Sequence, residues 1–375
     1  MSITINPATT KPPTRDNANP PTHLPVAKNE RQHPSKAGGE NASVYFVGTA
    51  TTILEWEGIR VLTDPNFLHA GDHVHLGPGV SSTRLTNPSV DLHDLPRIDL
   101  VLLSHYHADH FDQEVEASLR RDLPIVSTAH AKKALSSKGD DSFTNVHDLE
   151  PFQELMVNVK EDTAQKQPRI RVTGMPGKHI AGAMEVVNEY LSAIPPTNGW
   201  IVELGYEHNN TFKTGYRIYI SGDTLMVNEL KEIPKRYPDH PIDLMLIHLG
   251  GTTVPSPKMS PLAVMVTMDA KGGMAHPTVD ISHGVPSSAH FSVFGLTAVC
   301  VYSGCDQRRR DDRRRRKQSH DLHYVDQDSP TMLASELLPH MEHKPVFYSR
   351  PIEAEVKKTM HGFATRFTTQ SLTHL

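Results

Sequence analysis

Within six residues, His105, Tyr106, His107, Ala108, Asp109 and His110 place three imidazoles and a carboxylate directly after the apolar run of residues 98–103. Imidazole and carboxylate bind Zn²⁺ at roughly 2.0–2.2 Å, and several of them converging on one point would repel further protons unless a cation neutralised them. A metal site at the end of a buried strand is therefore expected. In extended backbone His105 and His107 project to the same side, while a turn at Ala108 lets Asp109 and His110 face a second position, so that two metals can sit side by side. The chain holds 24 His, which makes a merely histidine-rich loop the bland alternative, but the ordered spacing H-x-H-x-D-H is the more specific signal.

The elements that must position these groups read as strands with helices between them. Apolar runs predict strands at residues 43–47, 52–56, 59–62, 124–127, 169–173, 200–204, 216–220 and 243–247, with Glu57-Gly58 as a hairpin turn. Helical spacing predicts helices at 113–121, 129–137 and 225–236. His179 follows an apolar strand and the break Pro176-Gly177, and Asp223 follows a strand and Gly222, which permits close backbone approach. His248 ends a strand just before Leu249-Gly250-Gly251, where its ring meets substrate oxygen or else orients a metal ligand from behind. Residues 64–87 form a long loop carrying His69, His73 and His75, read as solvated histidines on a functional rim. Residues 1–42, rich in Pro, Asn and Thr and without apolar periodicity, read as a disordered tail ahead of one domain at 43–375.

These residues resemble the metallo-β-lactamase-fold superfamily, and within it the branch of lactonase and N-acylphosphatidylethanolamine-phospholipase type. The likeness spans roughly residues 43–270 and includes residues 45–51, Leu62-Thr63-Asp64-Pro65, the histidine motif, Met175-Pro176-Gly177-Lys178-His179, residues 195–199, Ser221-Gly222-Asp223-Thr224 and residues 247–251. It implies an αββα sandwich with the metals at one edge of two sheets. It also implies that His179 completes a first metal with His105 and His107, and that Asp223 bridges to a second metal held by Asp109 and His110. The branch supplies its last ligand as His-x-Asp-Asp-Tyr-x-Val-Phe soon after the segment that here reads Met268-Asp269-Ala270-Lys271, and this chain departs from that pattern. Residues 272–335 show no regular period, include the arginine run at 308–317, and are expected to be an irregular insertion of the kind a retained intron or shifted frame would produce. Register returns near His340, which keeps the offset to Val346-Phe347 and is the expected seventh ligand, with His290 as the alternative from ungapped counting.

The chemistry expected is hydrolysis of a small molecule or xenobiotic, with two Zn²⁺ per chain making water nucleophilic at neutral pH; Mn²⁺ or Fe is compatible with the oxygen-rich second position. Asp109 would orient the attacking water and carry a proton, and His248 would assist. A cyclic ester or amide is the first substrate choice. A phosphodiesterase of the phospholipase type is the alternative, and a metal-poor scaffold a third if the last ligand is lost. The net charge of −5 argues against a surface built for nucleic acid, Cys300 and Cys305 make no disulfide framework, and no apolar run is long enough for stable membrane insertion. A cytoplasmic protein, able to form a homo-oligomer, is the resulting expectation.

Overall fold

The computed structural model describes residues 1–9, 11–27, 29–32, 41–77, 80–160, 167–180, 185, 188, 194–238, 242–250, 253–254, 264–268, 289–294, 297–302, 323–325, 332–333 and 363–367. Two sheets dominate them. One runs in the order Ser2–Ile5, Glu154–Val159, Gln167–Pro176, Asn198–His208, Thr211–Ile220, Leu244–His248, Thr297–Tyr302, Ala289–Phe294, followed by two short strands. The other runs Val146–Asp148, Ile125–Ser127, Leu100–Leu102, Ile59–Thr63, Thr51–Trp56, Ala42–Gly48, and then Phe363–Phe367 and Asn29–Gln32.

Side-chain alternation along the strands sorts the apolar residues into three layers. Trp56, Val61, Leu100 and Leu102 of one sheet meet Val157, Val172, Trp200, Val202 and Leu246 of the other between the sheets. On the outer face of the second sheet, Ile53, Leu62 and Val101 pack against Val115 of helix α1 (Gln113–Ser118) and against Ala131 and Leu135 of helix α2 (Ala129–Leu135). On the outer face of the first, Ile201, Tyr219 and Met245 pack against Leu230 and against Ile233 of helix α3 (Glu232–Arg236). An αββα sandwich results.

Local chemistry accounts for the boundaries. Glu57 and Gly58 both have positive φ, 49° and 72°, the geometry of a tight hairpin that follows the right-handed strand twist. Asp112 caps α1 by accepting from the amides of Glu114 and Val115, and Thr128 caps α2 through Ala131. The helix expected over 225–236 starts later, as a short 3₁₀ turn at Asn228–Lys231 running into α3, because residue 225 is drawn away by a bond from its amide to the Lys178 carbonyl.

The N-terminal segment corrects the expectation of a disordered tail wherever residues 1–42 are described. Ser2–Ile5 pairs in parallel with Glu154–Val159 and buries Ile3 and Ile5. Farther on, Thr14 bridges Leu119, Arg15 pairs with Asp141 at 2.8 Å, and the Thr22 carbonyl accepts from Arg60. Composition argued for disorder because so few of these residues are apolar; two isoleucines and an open sheet edge sufficed. Two further differences concern irregular stretches. His73–Gly77 and Val80–Thr83 form a hairpin inside the 64–87 loop. Within residues 272–335, Ala289–Phe294 and Thr297–Tyr302 form an antiparallel pair that extends the first sheet along Leu244–His248.

Candidate metal centre

The site forms where the C-terminal ends of several strands meet. Leu100–Leu102 delivers the histidine motif, and the chain then turns through bonds from the His110 and Phe111 amides to the His107 carbonyl, 3.0 and 2.8 Å. This turn separates the pair His105 and His107, whose rings lie 5.8 Å apart and nearly parallel, from Asp109 and His110. The Asn198 amide donates to the Ser104 carbonyl at 2.9 Å and ties the two sheets together at this point.

Asp223 reaches the motif because residue 222 is glycine. Its φ is +57°, and a Cβ there would lie 2.4 Å from the Asn198 carbonyl oxygen and 3.0 Å from the Ser104 side chain. Asp223 Oδ2 stands 3.1 Å from His110 Nε2 and Oδ1 stands 3.0 Å from His248 Nδ1. His179 arrives from Gln167–Pro176 on a loop fixed to the Asp223 loop by the Lys178 amide, which donates to Thr224 Oγ1. Its ring is 4.5 Å from that of His105.

Whether these groups fit metal ions is decided by which nitrogens are spoken for. His179 donates from Nδ1 to the Val266 carbonyl at 3.1 Å, and His105 Nδ1 lies 2.9 Å from Ser104 Oγ. Among the described residues, the Nε2 atoms of both are buried with no hydrogen-bond partner. Burial lowers the pKa of both rings, for His105 well below the ordinary value with added repulsion from His110, so each is neutral with a lone pair on the orphaned nitrogen. His107 donates from Nε2 to the Leu76 carbonyl at 3.2 Å, which turns Nδ1 toward Asp109 at 2.7 Å. Two unpartnered imidazole nitrogens on rings 4.5 Å apart suit a borderline-soft divalent cation such as Zn²⁺.

The second position carries charge of its own. Burial opposes protonation of His110, but Asp223, Asp109 and Asp64 outweigh it and hold its pKa well above the usual value. Burial likewise opposes ionisation of Asp223, and His110 and His248 more than offset that, keeping its pKa well below the usual carboxylate range. Three ligand groups of suitable spacing occur among the described residues: His105, His107 and Asp109; Asp109, His110 and Asp223; and Asp64, His110 and His248.

Six of the seven expected ligands, His105, His107, Asp109, His110, His179 and Asp223, thus come together. His340 lies outside the described residues. For His290 only the backbone is described, opposite Val301 on its strand. His248 is buried, with Nδ1 3.0 Å from Asp223 Oδ1. Of the rim histidines, His69 pairs with Asp91 and His73 with Thr83 at exposed positions. Beside His179 a cavity of about 300 Å³ is bordered by Lys178, Ile180, Pro195, Pro196 and His130.

Sequence reasoning assigned no role to Asp64, Asn66, Arg84 or Ser104. Asp64 accepts from the Ser104 amide at 2.6 Å and stands 3.4 Å from His110 Nδ1, with a strained φ of +36°. An aspartate before proline at the end of a strand parallel to the motif strand was the available signal.

Comparison with known proteins completes the assignment. Residues 59–283 match the family described as Beta-lactamase superfamily domain. The chain belongs to that superfamily. An uncharacterized protein of Mycobacterium tuberculosis is 28% identical over 260 residues, 68% of this chain and 59% of its own length. The N-acyl-phosphatidylethanolamine-hydrolyzing phospholipase D, mitochondrial, of Saccharomyces cerevisiae is 28% identical over 164 residues, 43% of this chain and 31% of that protein. A UPF0173 metal-dependent hydrolase of Thermodesulfovibrio yellowstonii is 24% identical over 186 residues, 48% of this chain and 63% of that one. The chain thus spans less than two thirds of the length of each. A solved isothiocyanate hydrolase from Delia radicum gut bacteria is similar with a TM-score of 0.46 at 19% identity, covering 63% of this chain and 82% of that one.

Proposed function

We propose that this chain is a metal-dependent hydrolase that opens a cyclic ester or amide of a small molecule, with His105, His107 and His179 holding one metal and Asp109, His110 and Asp223 the other. The observation that supports it most is the pair of buried, unpartnered Nε2 atoms on neutral His105 and His179, beside a second cluster containing two carboxylates. Bound Zn²⁺ would supply Lewis acidity and a water acidic enough to attack at neutral pH. Asp109, the more exposed of the two acids with its carboxylate on His107, is placed to orient that water and to move its proton to a leaving group. His248 holds the Asp223 carboxylate from behind. The cavity beside His179 is at the small end of the ligand-pocket range, in keeping with a small substrate walled by Ile180, Pro195 and Pro196.

The yeast relative favours one second reading, a phosphodiesterase acting on N-acylphosphatidylethanolamine. A panel of lactones, lactams and phosphodiesters, assayed with and without chelator, decides between them. Chelator-sensitive opening of cyclic substrates supports the first reading, and chelator-sensitive release of phosphatidic acid supports the second. Elemental analysis finding no metal on the purified protein would leave a scaffold in place of both.

A further inference from the structure

Among the described residues, Arg84 is a buried cation with no carboxylate paired to it. Its side chain lies in the rim loop, the residue is 7% exposed, and no carboxylate lies within ion-pair distance among the described residues. Burial pushes its pKa down to about 10, against a favourable field from Asp112. Removing an isolated guanidinium from water is strongly unfavourable, so its position calls for an explanation.

The surroundings are shaped to it. Nε donates to the Thr86 carbonyl at 2.9 Å, and Nη1 donates to Thr49 Oγ1 at 3.0 Å and to Asn66 Oδ1 at 2.8 Å. Nη2 is buried with no partner, and a Cβ on Gly48 would lie 2.7 Å from it, so the space that receives it exists only because residue 48 is glycine. Thr49 next to it holds a left-handed φ of 49°, a strained conformation for a β-branched residue. The guanidinium takes Oδ1 of the Asn66 amide, which leaves Nδ2 to face the motif. Nδ2 donates to the Asp109 carbonyl at 2.9 Å.

We propose that Arg84 and Asn66 are positioning residues for the second metal: the guanidinium fixes the Asn66 amide, and that amide holds the peptide joining Asp109 to His110. This rests on the two-metal reading above. The Asp109–His110 peptide carries two of the donors at the second position, whereas His105 and His179 are held by Ser104 and Val266. Loss of the clamp therefore loosens the second metal and spares the first.

The test uses the full-length protein, stripped with chelator and titrated with Zn²⁺ against a chromophoric competitor. The variants are Arg84→Met, Asn66→Ala and Asn66→Asp. Asn66→Asp is the most telling, since it pairs directly with Arg84 and should keep or raise the melting temperature of the metal-free protein, yet it sets a carboxylate oxygen against the Asp109 carbonyl. The expected result is roughly a 10- to 100-fold loss of affinity for the second Zn²⁺ equivalent, the usual cost of losing an outer-shell partner, with the first nearly unchanged. Wild-type affinity for both equivalents in all three variants would overturn the proposal, as would equal loss of both equivalents together with a lowered melting temperature. A wild-type protein that binds no Zn²⁺ would instead remove the two-metal reading, and the clamp with it.

Discussion

At the scale of single residues, the site is an arrangement of protons waiting to be displaced. His110 Nε2 and Asp223 Oδ2 stand 3.1 Å apart, so a protonated His110 and the Asp223 carboxylate neutralise one another. The raised pKa of His110 contributes stability that is complete below about pH 6.5, its unfolded value, and is lost as pH rises through the higher folded value. The lowered pKa of Asp223 contributes stability present above about pH 3.9 and lost as pH falls through its lower folded value. A metal ion must expel the His110 proton, so affinity should rise with pH and about one proton should leave per second-site metal at pH 7. Calorimetry in buffers of different ionisation enthalpy measures that count, and a slope of zero would contradict the ion pair. His179→Ala should abolish retention of the first metal and lower hydrolysis at least 100-fold, because it removes one of the two unpartnered nitrogens; elemental analysis after dialysis checks the metal, and the substrate panel the rate.

At the scale of elements, the motif depends on short pieces held by polar side chains more than by their own length. Helix α1 spans Gln113–Ser118, too short to persist alone, and Asp112 begins it by accepting from the Glu114 and Val115 amides at 2.7 and 2.9 Å. The other Asp112 oxygen accepts from the Phe67 amide at 2.6 Å, so one carboxylate joins the rim loop to the helix that follows the metal motif. Asp112→Ala should lower stability by about 2–4 kcal/mol, combining a lost cap with an orphaned buried amide, as read from denaturant midpoints. Asp112→Asn should recover most of that, since an amide oxygen can still accept. The pairing of His73–Gly77 with Val80–Thr83 plays a comparable part, for its Leu76 carbonyl accepts from His107 Nε2 and fixes the ring from the rim.

At the scale of the molecule, the N-terminal segment acts as a strap. It starts at the edge of one sheet and ends against the other, with Lys11 on Asp122, Arg15 on Asp141 and Asn17 donating to the His93 carbonyl. Removing residues 1–5 should cost about 3 kcal/mol from the burial of Ile3 and Ile5 and lower the melting temperature without changing metal content. A deletion that melts with the parent protein would show that the strand is dispensable. Among the described residues no helix is long and apolar enough to cross a membrane.

Much of this architecture was legible in the residues alone. The strands at 43–62 and the two helices after the motif follow from apolar spacing, the resemblance to the metallo-β-lactamase-fold superfamily implied the sandwich, and the histidine spacing marked the metal-binding edge. What the chain order could not reveal was convergence at long range. His248 turns toward Asp223 rather than outward, Arg84 reaches Asp109 only through Asn66, and residues 2–5 find the strand at Glu154–Val159. Each is a polar or edge contact between segments far apart in the chain, and side-chain periodicity carries no information about such partners, because they are chosen by where the packed sheets bring the backbone.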